Sequence, residues 1–387
     1  MDIKLLFDPV SEDLIDSVAG SNYFGKSIFH YGHGDVDMRK MHVALIGLEE
    51  YRGTNENLQS KFEDSSHRIR EKLYNLKKGS GVYNIIDLGT LRNGINYDET
   101  VFRLREVCEF LINLNVLPVI WGGTHDLAYG QYLAYQSLEK LISYVNVDAF
   151  LDIKTDGNPS ENHIENVLLH EPNYLFNYSH LAYQSYLIDE KSMNSLEKLY
   201  FESYRIGIIR SNINDMEPII REGDMFSFDI GALKSSDAPG TQNPQPFGLT
   251  GEEACQLSWY AGINEKMSST GFYEYCAGHD DVNFKTASVV ATMIWYFVEG
   301  YYHRSGGDQK FRENDYMKYV VSMPSTPETI IFYKSKLSEK WWMEVPLPED
   351  AEKYNRNFII PCRYEDYNTA TLGEVPDRYI NTHARLI

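Results

Sequence analysis

Short apolar runs alternate along this chain with longer segments whose apolar residues recur at helical spacing, and this alternation restricts the fold more than any other sequence feature. Residues 43–47 (VALIG) form such a run, as expected of a strand that is buried on both faces. Residues 99–113, in contrast, place Val101, Leu104 and Val107 on one helical face. Because strands that alternate with helices form a parallel sheet covered by helices, we predict an α/β fold with three layers, α/β/α, around a central parallel sheet.

The same two patterns predict the other elements of the sheet and of its helical layers. Thr250 is the predicted N-cap of one helix, since Glu253 follows it at the spacing of a capping box. The predicted helices are 66–76, 99–113, 251–260 and 286–302, and the predicted strands are 43–47, 84–87, 117–121, 142–147, 205–209, 225–228 and 269–275.

The pattern changes after residue 304, where Ser305-Gly-Gly-Asp308 has the composition of a linker. Beyond it, residues 319–322, 329–333 and 357–361 have the pattern of short strands within an aromatic-rich tail. We therefore predict two units, an α/β domain over residues 1–304 and a β-rich C-terminal extension over residues 305–387. The extension offers a surface for a protein partner.

The chain's 387 residues carry a formal net charge of -20, which bears on its partners rather than on its fold. Because this charge repels phosphate backbones and anionic lipids, we expect no nucleic-acid partner and no membrane insertion. No apolar run approaches the ~18 residues of a membrane span, and residues 1–14 lack the pattern of a secretory signal. The four cysteines form no CxxC pair, so we expect reduced thiols and a cytoplasmic protein.

Polar residues of chemical interest lie just beyond the ends of the predicted strands, at the edge where parallel sheets bind ligands. The four such residues that could converge are His125, Asp148, Asp152 and Asp229. One imidazole with three carboxylates suits a hard or borderline divalent ion such as Mn²⁺ or Mg²⁺ better than zinc. Each aspartate alone is more often a turn or cap residue, so only their joint position predicts a metal site.

Several motifs, in their order and spacing over residues 43–302, resemble those of the arginase/formimidoylglutamase (ureohydrolase) family. Residues 181–184 (LAYQ) also resemble the formimidoylglutamase branch. The resemblance implies an arginase-like fold for the α/β domain. The motifs are 121–130 (WGGTHDLAYG) for GGDHS…G, 147–152 (VDAFLD) for DAHxD, 227–231 (SFDIG) for SxDxD, 238–241 (APGT) and 248–250 (GLT) for APGTG…GLT, and 273–275 (YEY) with 286–287 (TA) for ExNP…TA.

The family's two Mn²⁺ ions share a bridging hydroxide, and the resemblance implies that only one of these metal positions keeps its ligands here. The ligands of the first ion correspond to the four residues named above, all of which are present. The second ion also needs the histidine of DAHxD and the last aspartate of SxDxD, which are Phe150 and Gly231 in this sequence. Neither side chain binds metal, so we expect one Mn²⁺ at most, with no metal at all as the open alternative.

Two further positions carry roles that the resemblance implies. Glu274 corresponds to the glutamate that pairs with the cationic head of the substrate, and a buried carboxylate makes a strong charge-assisted pair with a guanidinium. His163 lies near the position of the family's proton-shuttling histidine, although a lone histidine in a loop is more often simply exposed. His170, Asp156 and Asp280 are alternative sources of replacement metal ligands.

Two functions follow from these observations. In the first, the chain is a family member that keeps the first-metal ligands, is catalytically impaired, and acts as a binding or scaffold protein. In the second, it is an active metal-dependent hydrolase of a C–N bond in a linear amidine or guanidine. Both imply a small cationic or amidine ligand, and the resemblance also implies a homo-oligomer.

Overall fold

A computed structural model describes the chain over residues 3–34, 36–54, 56–154, 157–304, 313–324, 326–346 and 359–386. These residues form a large, mostly parallel sheet between helices and a separate four-stranded antiparallel sheet near the C terminus. The α/β class, the central parallel sheet and the β-rich extension predicted from the sequence are therefore confirmed. The predicted linker at 305–308 lies outside the described residues, and the domain boundary after residue 304 stays a prediction.

The large sheet has the strand order β1-β4-β3-β5-β10-β9-β6-β7-β8, and β2 also pairs with β4. Its pairs are parallel except for β1 with β4. The strands are β1 (Phe7–Asp8), β2 (Phe29–His30), β3 (Val43–Leu48), β4 (Ile85–Leu91), β5 (Leu117–Gly122), β6 (Ile142–Val147), β7 (Leu175–Tyr183), β8 (Glu202–Arg205), β9 (Met225–Asp229) and β10 (Ser269–Tyr273).

Helices connect these strands and cover the two faces of the sheet. The α-helices of this domain are α1 (Glu12–Ser17), α2 (Glu56–Gln59), α3 (Ser65–Tyr74), α4 (Tyr97–Asn113), α5 (Ala128–Ser137), α6 (Pro159–Leu169), α7 (Glu190–Lys198), α8 (Ile206–Ser211), α9 (Met216–Glu222), α10 (Gly251–Ile263) and α11 (Lys285–Tyr302).

Successive side chains of the central strands enter two different apolar layers. On β3, Val43 and Leu45 pack into a cluster shared with α3, α10 and α11. Ala44 and Ile46 point the other way, into a cluster shared with α4 and α5. Because neighbouring side chains of a strand point to opposite faces, a sheet covered on both sides needs the continuous apolar run seen in the sequence.

The start of α10 confirms the predicted capping box. The Thr250 hydroxyl accepts a hydrogen bond from the Glu253 backbone N–H at 3.1 Å. The Glu253 carboxylate in turn accepts one from the Thr250 backbone N–H at 2.8 Å. These two bonds satisfy donors that a helix leaves open at its N-terminus.

The prediction of a strand at residues 205–209 is wrong. Strand β8 ends at Arg205, and helix α8 occupies the following residues. The β-branched side chains there favour a strand locally, but such preferences yield to packing. Ile206 and Ile209 lie three residues apart and both pack against the core, which is the spacing of one helical face.

The C-terminal extension contains the antiparallel strands β11 (Tyr316–Ser322), β12 (Thr329–Ser335), β13 (Trp341–Glu344) and β14 (Ile359–Cys362), paired in chain order. Two of the three strands predicted there are confirmed, and residues 357–358 of the third lie outside the described residues. The sequence analysis missed the helices α12 (Tyr364–Thr371) and α13 (Asp377–Leu386), which follow the sheet.

A buried arginine joins this extension to the large sheet. Arg378 of α13 is 4% exposed and donates to Glu202 of β8 at 2.8 Å and to Glu222 of α9. Nearby, the Arg221 guanidinium lies 4.3 Å from the centre of the Trp342 ring. The extension is therefore docked through paired charges rather than through an apolar surface alone.

Two expectations about the chain's surroundings can be compared with the structure. Among the described helices, none combines the length and the apolar character that crossing a bilayer requires. All four cysteines are free, and Cys108, Cys276 and Cys362 are buried. Their expected reduced state and the cytoplasmic location stay predictions.

We predict that Arg378→Met strongly destabilises the protein, because it removes the positive charge that Arg378 brings to the buried carboxylates of Glu202 and Glu222. Breaking a buried ion pair on one side costs about 3–5 kcal/mol. Urea unfolding followed by circular dichroism measures the loss. Arg39→Met is the matched control, since Arg39 pairs with Asp37 on the exposed surface. Equal effects of the two substitutions would contradict the proposed docking role of Arg378.

Candidate metal centre

The four residues predicted to bind metal come together at one edge of the large sheet. One potential ligand atom from each lies within 4.8 Å of the others. His125 follows β5, Asp148 and Asp152 follow β6, and Asp229 is the last residue of β9. In the strand order, β6 and β9 are neighbours and β10 lies between β9 and β5, so the three strand ends lie near one another at the carboxyl edge of the sheet.

Strand register explains why the carboxylates face the same way. Asn146 of β6 pairs with Ser227 of β9, so Asp148 and Asp229 each follow two residues later on the same face. The Ser227 hydroxyl donates to the Asn146 side-chain oxygen at 2.6 Å. This contact locks the two strands together directly beneath the carboxylates.

The His125 ring is held with one nitrogen towards the sheet and the other towards the carboxylates. Its Nε2 lies 3.1 Å from the Ser227 hydroxyl. Its Nδ1 lies 3.3 Å from oxygens of Asp148 and Asp229 and 3.9 Å from Asp152 Oδ2. Two ligands about 2.1 Å from one ion are at most about 4.2 Å apart, so these distances suit ligands of a single ion.

Two glycines allow the chain to bring His125 to this position. Gly122 and Gly123 have φ angles of 84° and 73°, which disfavour other residues. A Cβ atom on Gly122 would lie 2.5 Å from the Leu48 carbonyl oxygen. The sharp turn between β5 and His125 therefore requires both glycines.

Negative charge accumulates in this cluster without matching positive charge. Burial raises the pKa values of Asp148, Asp152 and Glu274 well above the usual carboxyl range, and neighbouring carboxylates raise them further. Burial is the largest single effect on His125 and lowers its pKa, but the hydrogen bond and charge of Asp229, together with the charges of Asp152 and Glu274, outweigh it and raise the pKa. A cation at this place would relieve the repulsion that produces these shifts.

The residues present fit one divalent ion. His125 Nδ1 and Asp148 Oδ2 are buried and have no hydrogen-bond partner among the described residues. Leaving a buried polar atom unpaired costs about 1–3 kcal/mol, and one ion would satisfy both atoms. Three carboxylates with one imidazole match the oxygen-rich preference of Mn²⁺ or Mg²⁺.

A cleft of about 480 Å³ opens above the cluster. Asp152, Asp229 and Glu274 line it, and so do Phe150 and Gly231. The two positions where family resemblance places the missing second-metal ligands therefore face the same cleft as the ligands that remain.

Glu274 lies directly against the metal cluster. One of its oxygens accepts a hydrogen bond from the His125 backbone N–H at 2.9 Å, and the other accepts one from Gln242 at 3.2 Å. Its φ of 67° is in the left-handed region, which costs energy for a side chain of this kind. Glu274 thus lies beside the metal cluster, as its position after the last strand predicts. Its role in substrate binding stays a prediction.

His163 lies on helix α6 rather than in a loop, and it is completely buried. Its Nδ1 is 3.4 Å from Asp152 Oδ2, and its ring centre is 4.3 Å from that of His125. Burial lowers its pKa well below the usual value, with a smaller contribution from His125. The described residues that line the cleft do not include His163, and its predicted role as a proton shuttle stays a prediction.

Of the three alternative ligands considered from the sequence, His170 and Asp280 make other contacts. His170 Nδ1 bonds the Tyr129 hydroxyl at 2.8 Å. Asp280 accepts hydrogen bonds from the backbone and hydroxyl of Thr286 at the start of α11. Asp156 lies outside the described residues.

The residues that orient His125 were not predicted from the sequence. Tyr144 and Asn146 both contact the Ser227 hydroxyl, so a buried polar chain runs beneath the histidine. Their signal was present in the sequence, because Tyr144, Asn146 and Asp148 alternate along β6. Polar residues at every second position of a buried strand indicate a hydrogen-bonded layer.

Comparison with known proteins agrees with this geometry. A sequence profile of the Arginase family matches residues 53–299, which is more than half of the chain. This chain belongs to the arginase family. The family predicted from the sequence motifs is therefore confirmed, and the matched region contains all four residues of the metal cluster.

Within the arginase family, the chain is similar to formimidoylglutamases. The enzyme of Staphylococcus haemolyticus is 24% identical over 272 residues, which are 67% of this chain and 86% of that protein. The enzyme of Staphylococcus aureus is 26% identical over 187 residues, which are 46% of this chain and 60% of that protein.

Solved structures show the same fold. Formiminoglutamase of Trypanosoma cruzi with bound Mn²⁺ has a TM-score of 0.63 at 18% identity, covering 70% of this chain and 97% of that one. Formimidoylglutamase of Bacillus subtilis has a TM-score of 0.64 at 17% identity, covering 72% of this chain and 92% of that one. Because both are covered almost entirely, this chain carries segments beyond the shared arginase fold.

We predict that Mn²⁺ stabilises the wild-type protein and that His125→Ala abolishes this effect. At a free ion concentration of 100 times the Kd, binding adds about 2.7 kcal/mol of stability. Thermal melts with and without Mn²⁺, together with metal content after dialysis, measure the change. His303→Ala is the control, since that imidazole bonds a carbonyl of its own helix. A Mn²⁺ effect that survives in His125→Ala would show that this cluster is not the binding site.

Proposed function

We propose that this arginase-family chain holds one divalent cation and binds a small cationic amidine or guanidine in the cleft above it, without ordinary ureohydrolase turnover. The observation that carries this proposal is the position of Phe150 and Gly231. Both line the cleft beside Asp229, where family resemblance requires ligands for a second ion. A site with one ion lacks the paired cations that activate water and hold it between them.

The charges of the cleft support a cationic ligand. Lys154 is the cationic side chain among the described residues that line it, and it is paired with Glu161. Five carboxylates line the same cleft, and such an excess attracts cations and repels anions. They belong to Asp152, Glu161, Asp189, Asp229 and Glu274. This balance favours a ligand with a cationic head and few carboxylates over a dicarboxylate such as formimidoylglutamate.

The contacts of Glu274 support a role in binding the ligand's cationic head. Its carboxylate is held by the His125 backbone and by Gln242, so its oxygens are oriented before a ligand enters. A guanidinium or amidinium presents paired N–H donors, which match a carboxylate in a charge-assisted pair. Such a pair would bring the ligand's carbon next to the metal cluster.

A second candidate function is hydrolysis of a C–N bond in such a ligand. It is supported by the joint presence of the four-residue cluster and Glu274 around one cleft. A bound divalent ion lowers the pKa of a coordinated water and polarises the bond under attack. Ser227 would keep His125 in place, and Glu274 would hold the ligand.

Other expectations remain proposals. Manganese as the native ion, a cytoplasmic location and a homo-oligomer rest on family resemblance and sequence composition. A protein partner would use the C-terminal extension, where Val320 of β11 is 60% exposed on an outer strand of the small sheet.

We predict that the Mn²⁺-loaded protein binds agmatine more tightly than formimidoylglutamate, because agmatine has no carboxylate. Glu274→Gln should weaken agmatine binding at least about tenfold, since bonds to a charged group contribute about 1.5–3 kcal/mol. Isothermal titration calorimetry measures both effects. Glu252→Gln, which changes an exposed carboxylate outside this cleft, is the control. Preference for formimidoylglutamate, or urea, formamide or ammonia release at ~1–10³ s⁻¹, would overturn the main proposal.

We predict that Phe150→His combined with Gly231→Asp raises the bound Mn²⁺ from one to two ions per chain. A Cβ atom at position 231 would lie 2.9 Å from Asp229 Oδ1, so this carboxylate must shift as the second position forms. Metal analysis after dialysis gives the stoichiometry. Phe150→Leu with Gly231→Ala is the control for the change in packing. If the first pair of substitutions adds no ion beyond this control, the cleft differs from the family's binuclear site in more than these two residues.

A further inference from the structure

A polar row of side chains crosses three neighbouring strands beneath the metal cluster. Asn146 of β6 pairs with Ser227 of β9 on one side and with His180 of β7 on the other. Tyr144 and Tyr178, two residues earlier on β6 and β7, also pair and point to the same face. All five side chains are completely buried, so each polar atom depends on its neighbours for a hydrogen bond.

The direction of the hydrogen bonds in the polar row starts at His180. Its Nε2 lies 3.2 Å from the backbone carbonyl oxygen of Asp148, which can only accept, so this nitrogen carries a proton. Burial disfavours the doubly protonated, charged ring and lowers the pKa of His180 to about 3, so Nδ1 is an acceptor. The Tyr178 hydroxyl lies 2.8 Å from Nδ1 and therefore donates to it.

The same direction continues through Asn146 to Ser227. Because the Tyr178 hydroxyl directs its proton to His180, its oxygen accepts a hydrogen bond from the Asn146 side-chain nitrogen at 3.2 Å. Asn146 thereby turns its side-chain oxygen towards Ser227, whose hydroxyl donates to it at 2.6 Å. The orientation of the Asn146 amide is thus set by the neighbour on β7.

The Ser227 oxygen is left as an acceptor for its two other neighbours. The Tyr144 hydroxyl lies 2.7 Å from it, and His125 Nε2 lies 3.1 Å from it. A hydroxyl has one proton and two lone pairs, so both neighbours donate to Ser227. His125 therefore carries a proton on Nε2, and its Nδ1, which faces Asp148 and Asp229, is the nitrogen that can bind an ion.

We propose that His180 is a positioning residue that acts through the polar row to fix His125 in the tautomer with its proton on Nε2. A neutral imidazole binds metal through the nitrogen that has no proton, and the hydrogen bond of the other nitrogen decides which one this is. Because the row fixes that choice before an ion arrives, His180 raises the metal affinity of the site without touching the ion. This consequence for affinity rests on the proposed one-ion function.

Removing the acceptor at position 180 should reverse the direction of the row. In His180→Phe, the Tyr178 hydroxyl donates to the Asn146 side-chain oxygen instead. The turned amide then presents its N–H groups to Ser227, whose proton is directed to His125 Nε2. The neutral His125 ring consequently holds its proton on Nδ1, where an ion would bind.

Nitrogen NMR of the metal-free protein with isotope-labelled histidine, at a pH where the His125 ring is neutral, reports the tautomer. The proton should lie on Nε2 in the wild-type protein and on Nδ1 in His180→Phe. Calorimetric titration should show a loss of Mn²⁺ affinity of about 10–100-fold in His180→Phe, the range for residues that orient a metal ligand. The Nε2 tautomer in both proteins would overturn the proposal.

Tyr178→Phe separates this role of His180 from simple packing. It deletes one hydroxyl, so the Asn146 amide is no longer turned by a neighbour on β7. Added to His180→Phe, it should restore part of the Nε2 tautomer and part of the lost Mn²⁺ affinity. A double variant that binds Mn²⁺ no better than His180→Phe would overturn the proposal, because packing defects only accumulate.

Tyr178→Phe alone keeps the proposal testable if His180→Phe fails to fold. This smaller change should populate both tautomers of His125. The pure Nε2 tautomer in Tyr178→Phe would show that the row does not control His125.

His170→Phe is the matched control, because His170 Nδ1 also lies 2.8 Å from a tyrosine hydroxyl, that of Tyr129, outside the polar row. It should keep the wild-type tautomer of His125 and the wild-type Mn²⁺ affinity. A proton on Nδ1 in the neutral His125 of the wild-type protein would overturn the role of His180 and leave the one-ion function intact. No Mn²⁺ binding by the wild-type protein would overturn the one-ion function, while the tautomer measured without metal would still decide the role of His180.

Discussion

The arrangement of this protein depends on placing three aspartate carboxylates in one buried corner at the carboxyl edge of the sheet. Asp148, Asp152 and Asp229 repel one another there, and burial removes the water that would screen them. His125 offsets part of this charge, and an added cation would balance more of it. The glycine turn after β5 and the polar chain beneath His125 both hold the imidazole in that position. Packing of the whole domain thus stabilises a group of carboxylates that suits a cation.

Phe150 and Gly231, where family resemblance implies ligands for a second metal, both line the wall of the cleft. Phe150 is half-buried and its backbone N–H still bonds Asp148, as any residue there could. Gly231 likewise donates its backbone N–H to Asp229. The loop backbone around Asp148 and Asp229 therefore does not depend on the side chains at positions 150 and 231. Fold and family membership do not fix the chemistry of the site, so function has to be argued from the site itself.

The sequence predicted those strands and helices whose local pattern agrees with their final packing. It did not predict those whose conformation depends on contacts with distant residues. Strands such as β3 and the capped helix α10 carry local signals that agree with their final environment. The run that follows Arg205 favoured a strand but forms α8, because its isoleucines reach the core from a helix. Helix α6 had a readable start at Asn158, Pro159 and Glu161, yet this signal was missed and His163 was placed in a loop. The helices of the extension have short apolar faces whose partner surface is formed by distant residues.

By itself, the sequence determined the α/β class, the family and which four residues are the candidate metal ligands, because strand ends and motif spacing are local properties of the chain. Only the tertiary structure decided how these residues are oriented and what surrounds them. Strand crossover brings Ser227 beneath His125, and packing of α6 turns His163 towards Asp152. The tertiary structure also brings acidic side chains from separate loops into one cleft. Distances between residues far apart in the chain are set by packing of the whole domain, and no local pattern of residue types encodes them.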